Sequence, residues 1–242
     1  MNSATGKAIL AKARMGDFAH PGEEEAVHLV VQGRKKSRHN RVLDVGCGRG
    51  GTAAWLQRND FGHVFGIDVD SESIDYARTT YPEVTFCTLD VAELKDKWNS
   101  EAFDAVYLFN SFYAFPDQPG ALREIRDVSR SGSELCIFDY STSTGAGIPA
   151  ALGTEIGHPI VIEDIERWLA AAGWVNVTSE DWTERFIDWY AALLKAFERD
   201  RAWITENFGH PWAEFVTRFY GSLRESLLAG DIRGIVLRAI AD

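Results

Sequence analysis

Arg41-Val-Leu-Asp-Val-Gly-Cys-Gly-Arg-Gly-Gly-Thr52 is the stretch that decides the fold of this 242-residue chain. The apolar residues from Val42 to Val45 indicate a buried strand, and the glycines that follow indicate a sharp turn. A helical pattern begins at Thr52, so the unpaired N–H groups of a helix N-terminus face the turn. The sequence therefore predicts an α/β unit that holds a ligand against bare backbone.

Two glycine patterns overlap in this turn, and the residue before them decides between them. Gly46, Gly48 and Gly51 fit G-x-G-x-x-G, the dinucleotide fingerprint of nicotinamide dehydrogenases. However, the Asp44 carboxylate would repel a pyrophosphate and would favour a cationic ligand. The order Asp44-x-Gly46-x-Gly48-x-Gly50 resembles that of class I S-adenosylmethionine-dependent methyltransferases. Their cofactor carries an ammonium and a sulfonium and has no phosphate.

The resemblance is specific over residues 40–140 and rests on topology over about 160–180 and 232–242. It implies an α/β fold with a seven-stranded, mostly parallel, doubly wound sheet, which is the Rossmann-like methyltransferase fold. We expect three parts: N-terminal helices that cover the cofactor, a methyltransferase core, and a helical cap for the substrate inserted before the last strand. These parts are residues 1–40, residues 41–181 with 231–242, and residues 182–230.

Apolar runs predict the strands after the glycine turn. They lie at residues 64–67, 83–88, 103–109, 134–138, 174–179 and 235–240.

Polar residues at the strand ends are the predicted cofactor contacts, because ligands bind beyond the carboxyl ends of parallel strands. Asp68 lies 18 residues after Gly50, where a carboxylate can accept both ribose hydroxyls. The resemblance implies that Asp90 or its neighbours contact the adenine amino group and that Asn110 lies near the methyl group. A strand-end aspartate can instead cap the next helix, but a series of them is harder to explain by capping. The predicted cofactor-binding residues are Asp44, Gly46, Cys47, Gly48, Asp68, Val69, Asp90, Val91 and Asn110.

His20 and Tyr113 are the candidate catalytic residues. Methyl transfer depends mainly on in-line positioning, and a general base is needed only when the acceptor arrives protonated. His20 lies in a turn next to Pro21, and Tyr113 follows the fourth strand. Each of them could instead be a surface or capping residue.

Aromatic residues between 182 and 220 exceed what one helical stripe needs for packing. Such residues suit a flat ring or a methylated ammonium, although they could equally hold the cap to the sheet. The candidate substrate-binding residues are Phe18, Tyr113, His158, Trp182, Trp189 and Tyr190. The chain is similar to sarcosine/dimethylglycine and azapteridine N-methyltransferases, which implies a small-molecule acceptor with a nitrogen nucleophile. A small-molecule O-methyltransferase and a non-catalytic S-adenosylmethionine-binding partner subunit are the alternatives.

Composition restricts the partners, metal content and location that we expect for the protein. The net charge of −11 argues against a nucleic-acid or anionic-membrane surface. Three cysteines without a C-x-x-C pair argue against a disulfide framework and a zinc site, so we expect no metal. The first residues lack the apolar core of a signal peptide, and we expect a cytoplasmic protein, either a monomer or a homodimer.

Overall fold

The computed structural model describes residues 1, 3–143, 148–150 and 152–242. Its strands are β1 (Arg41–Val45), β2 (His63–Asp68), β3 (Thr85–Thr88), β4 (Phe103–Phe109), β5 (Ser129–Thr142), β6 (Ile160–Val161), β7 (Trp174–Asp181) and β8 (Arg233–Ala241). Its α-helices are α1 (Ala4–Ala13), α2 (Glu23–Val30), α3 (Gly51–Arg58), α4 (Ser71–Thr80), α5 (Leu94–Lys97), α6 (Gln118–Val128), α7 (Ile162–Ala171), α8 (Thr183–Phe208) and α9 (His210–Ala229). Short 3₁₀ turns lie at Val91–Glu93, Phe112–Ala114 and Gly153–Glu155.

One sheet runs through the molecule in the order β3-β2-β1-β4-β5-β8-β7. Strands β1 to β5 are parallel, whereas β8 is antiparallel to both β5 and β7. This arrangement confirms the predicted seven-stranded, mostly parallel sheet. The two-residue strand β6, which pairs with β5, was not predicted because it is too short to show a pattern.

Helices cover both faces of the sheet, which explains why the central strands are continuously apolar. In β4, Val106 and Leu108 are buried in one core, and Tyr107 and Phe109 are buried in the other. The first of these cores includes residues of α6 and α7, and the second includes residues of α1, α2, α3, α8 and α9. The result is a three-layer α/β/α arrangement.

The register of β1, β2 and β4 brings the ends of three strands together. Asp44 lies opposite Gly66 of β2 and Tyr107 of β4. Beyond the end of β1, the Gly46 and Cys47 N–H groups donate to the Ile67 carbonyl over 2.8 and 2.9 Å. The predicted ligand-binding edge is therefore a single place in the molecule.

The helical region before β8 consists of two helices rather than one continuous run. Gly209 separates α8 from α9 with φ 89° and ψ 158°, a conformation that is essentially confined to glycine. Helix α8 packs on β8, and α9 packs back on α8. Among the described residues, no helix combines the length and apolar character needed to cross a bilayer.

Candidate functional site

The glycine turn brings bare backbone to the end of β1. Gly46, Gly48 and Gly50 have φ values of 75°, 53° and 88°, whereas Gly51 is the first residue of α3. The three glycines with left-handed backbones are thus the ones in the pattern Asp44-x-Gly46-x-Gly48-x-Gly50. At Gly46 a side chain is also excluded sterically, because a Cβ would lie 2.4 Å from the Ser111 Cβ.

Asp68 joins the turn to the N-terminal helix. Its Oδ2 accepts from the Gly48 N–H over 2.8 Å, and its Oδ1 accepts from the Asp70 N–H over 2.9 Å. The Lys7 ammonium on α1 lies 3.2 Å from Asp68 Oδ1 and 3.2 Å from Asp70 Oδ2. Burial acts against ionisation of Asp70, but the Ser73 hydroxyl and Lys7 bring its pKa below the usual value.

A cavity of about 250 Å³ opens above this cluster. Three of the predicted cofactor residues after β2 and β3, namely Val69, Asp90 and Val91, line it together with Leu89. One oxygen of Asp90 is already used, because its Oδ1 accepts from the Ala92 N–H over 2.9 Å and caps the turn that follows. The capping role and a place at the cavity thus coexist in this residue.

Asp44 and Cys47 lie beneath the turn, outside the cavity lining. Burial, followed by the charge of Asp68, raises the pKa of Asp44 to about 7. Within the described part of the chain, Asp44 Oδ2 has no hydrogen-bond partner. Burial also raises the pKa of the Cys47 thiol, so it is not a reactive nucleophile.

Asn110 ends β4 with a left-handed backbone, at φ 55°. Its N–H donates to the Phe138 carbonyl over 2.7 Å, and its side chain is hydrogen-bonded to the Tyr140 hydroxyl. Its Oδ1 has no partner among the described residues, although Asn110 lines the cavity. This acceptor atom is buried and unsatisfied.

Five aromatic side chains and one isoleucine form an apolar part of the cavity lining, which we call the aromatic chamber. They are Tyr113, Phe115, Tyr140, Ile156, Phe219 and Tyr220. The Tyr113 and Tyr140 rings lie 5.4 Å apart, and the Phe219 and Tyr220 rings meet edge-to-face at 5.0 Å. Burial raises the pKa values of Tyr140 and Tyr220 above that of an ordinary phenol. These side chains are therefore neutral hydroxyls at physiological pH.

His20 is buried, and both of its ring nitrogens are used. Nδ1 lies 3.1 Å from the Pro21 carbonyl, which can only accept, so Nδ1 carries the proton. Nε2 then accepts from the Thr52 hydroxyl over 2.9 Å. Burial lowers the pKa of His20 to about 3, so the imidazole is neutral and has no lone pair for a substrate.

The other predicted substrate residues, apart from Tyr113, lie outside the cavity lining. Phe18 packs edge-on to His20 with ring centroids 5.6 Å apart, and exposed His158 lines a separate shallow groove. Trp182 and Trp189 pack against Phe138, and Trp189 Nε1 also donates to Glu25 of α2 over 3.0 Å. Tyr190 stands behind the chamber, with its hydroxyl on that of Tyr140. The tryptophans hold α8 to the sheet, as the alternative interpretation expected.

Sequence reasoning missed Lys7, Tyr140, Asp139, Phe219 and Tyr220. The strand-end rule could have found Asp139, whose Oδ2 accepts from the Tyr113 N–H over 3.1 Å and so fixes the loop after β4. Burial raises the pKa of Asp139 to about 7, against the effect of its backbone donors. No local signal could have found Lys7, since its partners lie about sixty residues away in the chain.

The family model for the methyltransferase domain matches residues 36–183 of the chain. Phosphoethanolamine N-methyltransferase of Triticum aestivum is 27% identical over 192 residues, which cover 77% of this chain and 38% of that protein. An O-methyltransferase of Aspergillus nomiae is 31% identical over 152 residues, which cover 57% of this chain and 67% of that protein.

A solved structure has the same fold. It is phosphoethanolamine N-methyltransferase 2 of Haemonchus contortus in complex with phosphomonomethylethanolamine and S-adenosylhomocysteine, with a TM-score of 0.86 at 19% identity. The match covers 98% of this chain and 57% of that one. The chain thus spans well under two thirds of the length of these two phosphoethanolamine N-methyltransferases.

Proposed function

Because the chain belongs to the methyltransferase domain family, we propose that it transfers a methyl group from S-adenosylmethionine to a small-molecule acceptor. The observation that carries this proposal is the Asp68 carboxylate beside the left-handed glycines, at the mouth of a cavity that continues into the aromatic chamber. One end of the cavity suits a nucleoside, and the other suits an apolar guest.

The residues present fit this cofactor. Asp68 would hold the ribose hydroxyls, while Val69 and Val91 offer apolar surface and Asp90 a carboxylate to the adenine. The buried Asn110 Oδ1 could accept from an ammonium if the side chain turned toward the cavity. Burial holds the pKa of Asp44 at about 7, so a cation above the turn would favour the ionised form of this carboxyl, whereas a phosphate would not. S-adenosylhomocysteine would be the product.

The cofactor, when bound, supplies a methyl group on a positively charged sulfur. The chain's own part is to hold the acceptor in line with that group and to exclude water, which can account for about 7–11 kcal/mol of the barrier. In such a transfer the acceptor's lone pair would take the methyl group, the electron pair of the broken carbon–sulfur bond would stay with S-adenosylhomocysteine, and the methylated acceptor would lose its surplus proton to solvent on release.

We propose that neither His20 nor the buried phenols Tyr140 and Tyr220 act as a general base. His20 has both nitrogens engaged, and burial raises the pKa values of the two phenols. We therefore reassign His20 from catalysis to positioning the segment before α2. Tyr113 stays in the proposed site as a wall of the chamber, next to the Asn110 end.

A nitrogen acceptor is the lead proposal, since an aromatic wall attracts an ammonium product by cation–π contact. A hydroxyl acceptor is the second candidate, and the O-methyltransferase relative from Aspergillus nomiae favours it. The site of the added methyl, located by NMR of the isolated product, separates the two.

The setting of the protein is also a proposal. We propose a cytoplasmic enzyme that acts on small molecules and not on nucleic acid, as a monomer or homodimer. Its net charge of −11 and its three thiols without metal-ligand spacing support this. We further propose that residues 1–40 cover the cofactor and residues 182–230 cap the substrate. Both parts contribute residues to the cavity lining, for example Lys7 from the first and Tyr220 from the second.

Calorimetric titration tests the cofactor assignment. S-adenosylhomocysteine should bind with one site per chain, and NAD at the same concentration should give no heat. The reverse preference would refute the assignment. Binding without a methylated product from a broad metabolite panel would instead favour the non-catalytic partner subunit.

A further inference from the structure

The charged side chains of the cavity all lie at one end. Lys7, Asp68, Asp70 and Asp90 line the part next to the glycine turn. Among the lining residues that the structure describes, Lys7 alone has a basic side chain, and it lies between two carboxylates at 3.2 Å each. The N-terminal ammonium of Met1, which also lines the cavity, is paired with Glu155. Residues 2, 144–147 and 151, which the structure does not describe, include no Lys, Arg or His. The aromatic chamber itself is built from uncharged side chains.

One further cation, Arg14, stands behind the chamber wall. Its guanidinium pairs with Glu23, and its side chain is only 1% exposed. It acts on Tyr190 and Tyr220 through its field, from outside the cavity lining. Lys7, Arg14 and the Met1 ammonium are each already paired with a carboxylate. A phosphate in the chamber would therefore lose its hydration without gaining an unpaired cation from these groups, which is costly.

The chamber instead presents ring faces, ring edges and neutral hydroxyls. Tyr140 and Tyr220 are 2% and 4% exposed, so their rings are packed firmly into the wall and present only a small part of their surface to the cavity. Phe219 is fixed from behind by Phe215, which stacks on it with ring centroids 5.9 Å apart. Preformed aromatic walls of this kind favour another flat ring through stacked or edge-to-face contact.

We propose that the acceptor is an amine on an aromatic or heteroaromatic molecule that carries no phosphate, with its ring held by Tyr113, Tyr140, Phe219 and Tyr220. This rests on the proposed function, because the amine must reach the cofactor at the Asn110 end. It also sets this chain apart from its Triticum aestivum relative, whose name specifies a phosphorylated base.

Two probes with the same aminoethyl group test the proposal. In 2-phenylethylamine this group carries a phenyl ring, and in phosphoethanolamine it carries a phosphate. Each is titrated into the full chain loaded with S-adenosylhomocysteine. We expect the phenyl probe to bind at least about tenfold more tightly, as ring contacts replace a desolvated phosphate. Equal binding, tighter binding of phosphoethanolamine, or no measurable binding of the phenyl probe would each overturn the proposal.

A pair of variants on α9 locates the binding. Tyr220→Leu should weaken the phenyl probe about tenfold, because it removes one wall of the chamber. Leu228→Ala is the control on the same helix, since Leu228 is 57% exposed and lies outside the cavity lining, and it should leave the affinity unchanged. Both variants should keep the wild-type affinity for S-adenosylhomocysteine, which reports an intact fold. Equal effects of the two variants on the phenyl probe would refute the assigned wall.

Titration with S-adenosylhomocysteine distinguishes a failure of the proposed function from a failure of the acceptor assignment. If S-adenosylhomocysteine does not bind, the proposed function fails. If it binds but the ring shows no advantage over the phosphate, only the assignment of the acceptor fails.

Discussion

At the residue scale, Asp68 links three segments of the chain through one carboxylate. It accepts from the glycine turn and from its own loop, and it pairs with Lys7 of α1. The sequence predicted an open carboxylate for two ribose hydroxyls, whereas the structure shows an acid that is already engaged. Binding of a ribose there would require Lys7 to shift or to share the carboxylate.

Replacing Asp68 tests its role with little change in shape. We expect Asp68→Asn to weaken S-adenosylhomocysteine binding by about 1.5–3 kcal/mol, the usual contribution of hydrogen bonds to a charged group. Titration calorimetry measures this directly. Asp75→Asn is the control, because Asp75 is exposed on α4 and pairs only with Arg78 among the described ionic groups. Equal affinities of the two variants would remove Asp68 from the site.

His20 gives a prediction about pH. Its pKa of about 3 in the folded chain lies below the 6.5 of an unperturbed histidine, so the unfolded chain binds the extra proton between these values. This contribution to stability is complete above pH 6.5 and is lost as the pH falls toward 3. We expect a loss of about 2.7 kcal/mol between pH ~7 and pH ~4.5. Urea unfolding at these two pH values measures it.

The variant His20→Gln isolates that contribution, since glutamine does not titrate. Asp44 and Asp139 act in the opposite sense, because their raised pKa values of about 7 mean that their contribution is lost as the pH rises. Both carboxyls are present in wild type and in His20→Gln, so their contributions cancel in the difference between the two unfolding free energies. An identical acid dependence of the two proteins would show that His20 takes up protons in the folded state.

At the element scale, Gly209 decides how the region before β8 folds. Its φ of 89° and ψ of 158° let α9 turn back on α8 and bring Phe219 and Tyr220 to the cavity. A Cβ at Gly209 would meet only Pro211 Cδ at 3.5 Å, so the restriction comes from the backbone and not from crowding.

We therefore expect Gly209→Ala to cost about 1–3 kcal/mol of unfolding free energy in urea titrations. Gly221→Ala is the matched control, because Gly221 lies within α9 and a Cβ there meets no described atom within 4 Å. That substitution should stabilise the protein by about 0.5–1 kcal/mol. Similar losses in both variants would contradict the assigned backbone conformation.

Local patterns predicted the central elements better than the peripheral ones. The strand at 103–109 was predicted with its observed ends, since a strand buried on both faces is apolar throughout. The strand predicted at 134–138 extends over Ser129–Thr142, because its polar ends pair with neighbours that no local pattern reveals. The break at Gly209 was missed because the helical pattern continues on both sides of it.

At the scale of the whole molecule, the order of the strands determines which residues meet. Of the four residues that the strand-end rule selects, Asp68, Asp90 and Asn110 line one cavity, whereas Asp44 lies outside its lining. The rule could not predict which aromatics of the helical region face that cavity. Tyr220 does so and Trp189 does not, because the packing of α8 on β8 and α2 makes that selection.

The chain shares its fold over 98% of its length with a phosphoethanolamine methyltransferase structure at 19% identity. A shared fold does not fix the acceptor, because the side chains that line the site can differ between proteins of one fold.

The most direct test is a crystal structure of the protein with S-adenosylhomocysteine. We expect the ribose on Asp68, the adenine between Val69 and Val91, and the sulfur facing Asn110 and the aromatic chamber. A nucleoside bound elsewhere, or one that makes no contact with Asp68 and the glycine turn, would contradict the proposed function and the inference that rests on it.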